Sequence, residues 1–170
     1  MILVAALIRF RLILVYLCFF SPLIAENNYT FTPPPGWDQA APELLAPHVT
    51  VSFFTKSDKE FCPSINLATE KVSISLDQYV KSVQTAHESC PKNRWRKLGT
   101  FETLSGTATL TSIDMEVAAG KIRLLQAFIL EEGIAYILTG AALQKDFSLY
   151  YQQFLQSFRS FSLGKNGQNL

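Results

Sequence analysis

Two cysteines, two histidines and one short cationic run hold most of the chemistry this sequence could perform. Cys62 and Cys90 lie outside the apolar N-terminal stretch, and a proline follows each. Outside a reducing compartment, two such thiols suggest one disulfide. Closing a loop of about 29 residues would add roughly 3–4 kcal/mol in the chain-entropy model. The same thiols with His87 form a metal alternative, because His87-x-x-Cys90 can place two ligands on one helical turn. Structural zinc takes four ligands, and catalytic zinc takes three plus water. No fourth ligand is evident, since Glu88 sits off that face. Free thiols are the third reading, and the three stay open at this point. His87 also closes an apolar helical stripe, which suits a partly buried core histidine.

Catalysis needs a nucleophile beside a base, or paired acids with separated pKa values. His48 and His87 are the only histidines, and no G-x-S-x-G elbow or glycine-rich phosphate loop is present. Glu131-Glu132 falls at a turn, and Asp58 and Glu60 fall in a polar loop. The sequence therefore predicts no enzyme, no catalytic residue and no cofactor. What remains is Lys92-Asn93-Arg94-Trp95-Arg96-Lys97. In a strand, Arg94 and Arg96 share one face and Trp95 takes the other. Charges of this kind protect an edge strand from aggregation. They also suit docking to an acidic partner or to anionic lipid headgroups. Arg94, Trp95, Arg96 and Lys97 are accordingly the candidate partner-binding residues.

The elements that must position these groups centre on Lys121 to Leu143. Ile122, Leu124, Phe128 and Leu130 alternate there with Leu125, Ala127 and Ile129. Ile134, Tyr136 and Leu138 alternate with Ala135, Ile137 and Thr139 on the return. Both faces are apolar, so a central β-hairpin covered on both sides is predicted. Glu131-Glu132-Gly133 forms its turn, with Gly133 at positive φ. Further strands are predicted over Tyr29–Thr32, Val49–Lys56, Ser64–Ser73, Arg94–Leu104 and Thr107–Ala118. Ser75 and Gln78 make a capping-box pattern before a helix with Leu76, Tyr79, Val80, Val83, Ala86 and His87 at helical spacing. Asp77 and Lys81 form an i,i+4 pair on its wet face. Asp146 caps a second helix, striped with Phe147, Tyr150, Tyr151, Phe154, Leu155 and Phe158. Trp37, beside Pro35-Gly36, reads as a core plug. Two amphipathic helices and a doubly apolar hairpin give an α+β fold: a three-layer α/β/α sandwich around a largely antiparallel sheet.

The chain of 170 residues suits one domain, and 13 Phe, 6 Tyr and 2 Trp supply a substantial core. Met1 to Ala25 has the pattern of a secretory signal. Arg9 and Arg11 precede the apolar run Leu12 to Phe20, and cleavage is expected after Ala25. An uncleaved membrane anchor is the alternative, although Leu12 to Ala25 is shorter than the roughly 20 residues a spanning helix needs. Removing Arg9 and Arg11 from the 15 basic residues leaves 13 against 14 acidic, a net charge of −1. A near-neutral exported chain argues against nucleic-acid binding. Residues 26–163 are expected to form the single domain, and 164–170 a flexible tail. Asn28-Tyr29-Thr30 is a glycosylation sequon that matters only in a eukaryotic secretory pathway. No plant-type transit region precedes the leader, which points to the periplasmic or extracellular side of a bacterial envelope.

The order of several pieces resembles the PsbP-like and DcrB-like superfamily. They are Tyr29-Thr30-Phe31 followed by Pro35-Gly36-Trp37, then Ser75-Leu76-Asp77-Gln78-Tyr79 opening a helix. Gly106-Thr107-Ala108, Ala135-Tyr136-Ile137-Leu138-Thr139 and the Phe154, Phe158, Phe161 run complete it. The likeness spans nearly all of Asn28 to Leu163. It implies an α/β/α sandwich with a non-catalytic accessory or binding role. Relatives so implied include a lumenal photosystem II subunit, bacterial envelope proteins and a nuclear family that binds the Ran GTPase. No motif contacting a photosystem or a GTPase can be matched here. The expectation is a partner-binding or assembly module of the envelope with a protein partner and, secondarily, membrane-surface contact. A small-ligand or metal-binding module is one alternative; a structural protein tethered by its leader is the other.

Overall fold

The computed structural model describes residues 29–56 and 61–164. The leader, Asn28 of the sequon, Asp58, Glu60 and the tail after Gly164 lie outside the described residues. At the centre are β7 (Gly120–Glu131) and β8 (Ile134–Leu143). Before them come β1 (Tyr29–Thr30), β2 (Asp38–Gln39), β3 (Val49–Phe54), β4 (Ser64–Lys71), α1 (Leu76–Glu88), β5 (Arg94–Thr103) and β6 (Gly106–Val117). After them come α2 (Phe147–Arg159) and β9 (Ser162–Leu163). One seven-stranded sheet runs β2-β3-β4-β8-β7-β6-β5, with β8 in the middle. Every neighbouring pair in it is antiparallel.

Period-2 patterning on the central strands separates two cores. Leu125, Ala127 and Ile129 join the α2 side, with Phe154, Phe158 and Phe161 fully buried among them. Phe128 and Leu130 join the α1 side, with Tyr79 and Val80. This is the expected three-layer α/β/α sandwich. Burying each such phenylalanine stabilises the fold by about 1.5–3 kcal/mol. Trp37 packs edge-on against Tyr150 and Phe154, as a plug should.

Local details depart from expectation in four places. The central turn has two residues, because Glu131 still pairs with Ile134; Glu132 joins Gly133 at positive φ. The capping box at Ser75 forms in both directions, but Asp146 has helical dihedrals and makes no side-chain cap bond. The Asp77–Lys81 pair is replaced. Asp77 lies 3.9 Å from Lys97 on β5, and Lys81 donates to Gln84. Finally, β9 pairs with β1 as a separate two-stranded sheet that ties the two ends together.

A polar row crosses the α1 face. Cross-strand register lines up Asn66, Thr139, Gln126, Thr111 and Lys97. Gln126 donates to Thr139 at 3.3 Å. Thr111 Oγ1 and Gln126 Oε1 are buried with no hydrogen-bond partner among the described residues.

Candidate functional site

β5, β6 and β7 run side by side, so their alternate residues share a face. Arg94, Asp114 and Arg123 occupy one cross-strand line; Arg96, Ser112 and Leu125 occupy the next. All six are on the α2 side. Asp114 is the hub. Arg123 grips it with two parallel bonds, Nε to Oδ1 and Nη2 to Oδ2, the second at 2.9 Å. Arg96 reaches the same carboxylate diagonally, with Nη2 2.7 Å from Oδ2, and its Nε donates to Ser112 Oγ at 3.3 Å. The Asp114 side chain is only 13% exposed. Its bonds to Arg123, then to Arg96, hold its pKa below the usual carboxylate value although burial opposes this. Asp114 in turn raises that of Arg123.

Two guanidiniums thus face one carboxylate, and the cluster keeps a positive charge. Arg123 also lies over the Phe147 ring, 5.5 Å from its centroid. A groove of about 530 Å³ opens beside these groups, between the first turns of α2 and strands β5 to β7. Leu98, Leu125 and Phe147 give it apolar walls; Ser148, Gln144 and Gln152 give it hydrogen-bonding groups. A second cavity of about 380 Å³ adjoins it through Gln144 and holds Lys92, Arg94, Lys121, Asp114 and Glu116.

The expected surface therefore divides. Arg94 and Arg96 face the α2 side. Trp95 turns to the α1 side and packs against the Tyr79 core, with its indole N–H buried and lacking a hydrogen-bond partner among the described residues. Lys97 shares the Trp95 face and meets Asp77. The four residues are adjacent in sequence, yet strand alternation keeps them from forming one patch.

The cysteine readings fare differently. Cys62 and Cys90 are exposed free thiols, not a disulfide. They precede β4 and β5, which stand four positions apart in the sheet. Four strand spacings are roughly 19 Å, whereas bridged cysteines hold their Cα atoms about 5.5–6 Å apart. The same separation dismantles the Cys62, His87, Cys90 metal set. Among the described residues no group of three or more His, Cys, Asp or Glu gathers as a metal site. His87 is a half-buried histidine: burial lowers its pKa, and Nδ1 lies 3.4 Å from Asn93.

Asp114, Arg123 and the α2 wall were not singled out from the sequence. A signal existed for the first two: they are equidistant from the Ala118-Ala119 turn of a β-hairpin, so they must pair.

No family model matches the sequence, and no curated protein matches it. Solved structures do match in fold. LpqN, involved in cell envelope biogenesis of Mycobacterium tuberculosis, aligns over 80% of this chain and 83% of its own, with TM-score 0.57 and 12% identity. Cyanobacterial PsbP from Synechocystis aligns over 85% and 90%, with TM-score 0.52 and 13% identity. The Ran-binding protein Mog1p of Saccharomyces cerevisiae aligns over 80% and 90%, with TM-score 0.52 and 17% identity. The chain therefore has the PsbP-like/Mog1 fold, as its residue order suggested. No helix among the described residues is long and apolar enough to cross a membrane.

Proposed function

We propose that this chain is an exported, non-catalytic accessory protein that binds a protein partner of the cell envelope at the end of the sheet where β5 begins. One observation carries this reading: the charge at that end. Lys92, Arg94, Arg96, Lys121 and Arg123 line two adjoining cavities, and among the described residues Asp114 and Glu116 are the only carboxylates that line them. Five cations against two anions leave an excess of three. A near-neutral chain that concentrates positive charge in one corner is suited to steering and docking an acidic surface. The similarity in fold to LpqN, involved in cell envelope biogenesis, and to the Ran-binding protein Mog1p supports this reading. Fold alone does not fix function, so the site must carry the reading.

The test is crosslinking of the tagged full chain in its own cells, followed by mass spectrometry. Reversing Arg96 would set a second carboxylate against the largely buried Asp114. Lys92 and Arg94 are both exposed, so Lys92→Glu with Arg94→Glu is the cleaner variant. A protein captured by the wild type and lost in the folded variant supports the proposal. Equal capture by both removes this surface from it. The mass of the purified chain reads the leader in the same experiment, because cleaved export requires loss of residues 1–25.

A further inference from the structure

The Arg96–Asp114–Arg123 cluster uses only part of its hydrogen-bonding capacity. The two guanidiniums carry about ten N–H donors between them. Four nitrogens are engaged: Nε and Nη2 of Arg96, on Ser112 and Asp114, and Nε and Nη2 of Arg123, on Asp114. Nη1 of each has no hydrogen-bond partner among the described residues. Arg123 is 29% exposed and Arg96 46%, so both can be reached from the groove. Asp114 acts as an anchor that orders two forks beside an open cavity, at little entropic cost to any later bond.

The remaining lining narrows the chemistry. Leu98 is 47% exposed at the lip of the groove. Leu98, Leu125 and Phe147 offer an apolar strip next to the forks, while Ser148, Tyr151 and Gln152 present neutral polar groups along α2. Planar paired donors fit a carboxylate. The apolar strip fits a neighbouring aromatic or aliphatic side chain. The cationic cavity beyond Gln144 continues the same preference for negative charge.

Resting on the partner-binding reading above, we infer that this groove is the anchoring pocket for an acidic peptide segment of the partner: a carboxylate enters between Arg96 and Arg123, and an adjacent apolar side chain lies along Leu98, Leu125 and Phe147.

The experiment is a ¹⁵N–¹H NMR titration of the mature chain with a short synthetic peptide of Asp, Phe and Ser, and with its Asn-for-Asp counterpart. The acidic peptide should shift the resonances of Arg96, Ser112, Arg123 and Ser148. Arg123→Gln, which leaves Asp114 its Arg96 partner, should weaken binding roughly tenfold. Ser148→Trp, at an exposed helix position, should block the groove without touching the ion pairs. The proposal is overturned by shifts elsewhere, by equal binding of the amide peptide, or by binding that survives both variants. It is also overturned if phosphatidylglycerol vesicles shift these residues and the peptide does not. Its failure is separable from that of the proposed function. If Ser148→Trp keeps the crosslinked partner that Lys92→Glu/Arg94→Glu loses, the partner reading stands and the groove assignment falls. If no partner is captured, the titration still reads the groove.

Discussion

Asp114 shows how one carboxylate can organise a surface and also set a stability limb. Its folded-state pKa lies below the ordinary value of 3.8, chiefly because Arg123 and then Arg96 bond its charged form. For a carboxylate depressed on folding, the linked stability is fully present above the unfolded pKa and is lost as pH falls through the folded one. The window therefore opens near pH 5 and closes below the depressed value. Arg94, Arg96, Arg123 and Ser112 face the group from the neighbouring positions. Asp114→Asn should cost roughly 1–3 kcal/mol at neutral pH, less than the loss of a fully buried pair, because the two arginines can still reach water. It should also flatten the acid limb. Urea denaturation of both proteins at pH 7 and at pH 3 measures this. An unchanged difference between the two pH values would show that Asp114 does not drive the acid sensitivity.

At the scale of elements, the decisive contact is between β8 and α2. Gly140 sits on the α2 face of β8, beneath the fully buried Phe154. A Cβ at Gly140 would lie 2.5 Å from Phe154 Cγ. No ring in a packed core can yield that distance without displacing its helix. Gly140→Ala should therefore destabilise by about 1–3 kcal/mol. Phe154→Leu in the Gly140→Ala background should then cost less than it does in the wild type, a coupling of about 0.5–3 kcal/mol in a double-mutant cycle. Additive losses would mean that the two residues do not meet. This contact marks where sequence reasoning stops. The central hairpin, the capping box and both helical stripes were legible, because each is a local pattern of period 2 or 3.6. The fact that Arg94 and Arg96 share a face was legible for the same reason. The Gly140–Phe154 contact, the β1–β9 clasp and the α2 wall of the groove depend on partners brought together by the whole sheet order. No local period encodes those. The polar row through Thr111 and Gln126 belongs with these, because cross-strand register brings its members into line from five strands.

At the scale of the molecule, the sheet has two unequal edges. β2 closes one with two residues, whereas β5 presents ten at the other. A long edge invites pairing with another chain unless charge or irregularity prevents it. β5 has both devices: Arg94, Arg96 and Lys97 near its start, and a bulge between Lys97 and Gly99, with Gly99 at φ +125°. The same cations serve the proposed docking surface, and strand alternation allows the two roles to be separated. Arg94 is on the α2 side with the groove, and Lys97 is on the α1 side. Replacing both with valine should increase concentration-dependent association over the wild type, as measured by light scattering at matched concentrations. Arg94→Val alone should also weaken capture of the partner, while Lys97→Val alone should leave it intact. If the double variant scatters like the wild type, the bulge by itself protects the edge, and the cations of β5 are there for binding. If Lys97→Val abolishes capture, the docking surface wraps onto the α1 face and the division drawn by strand alternation is wrong.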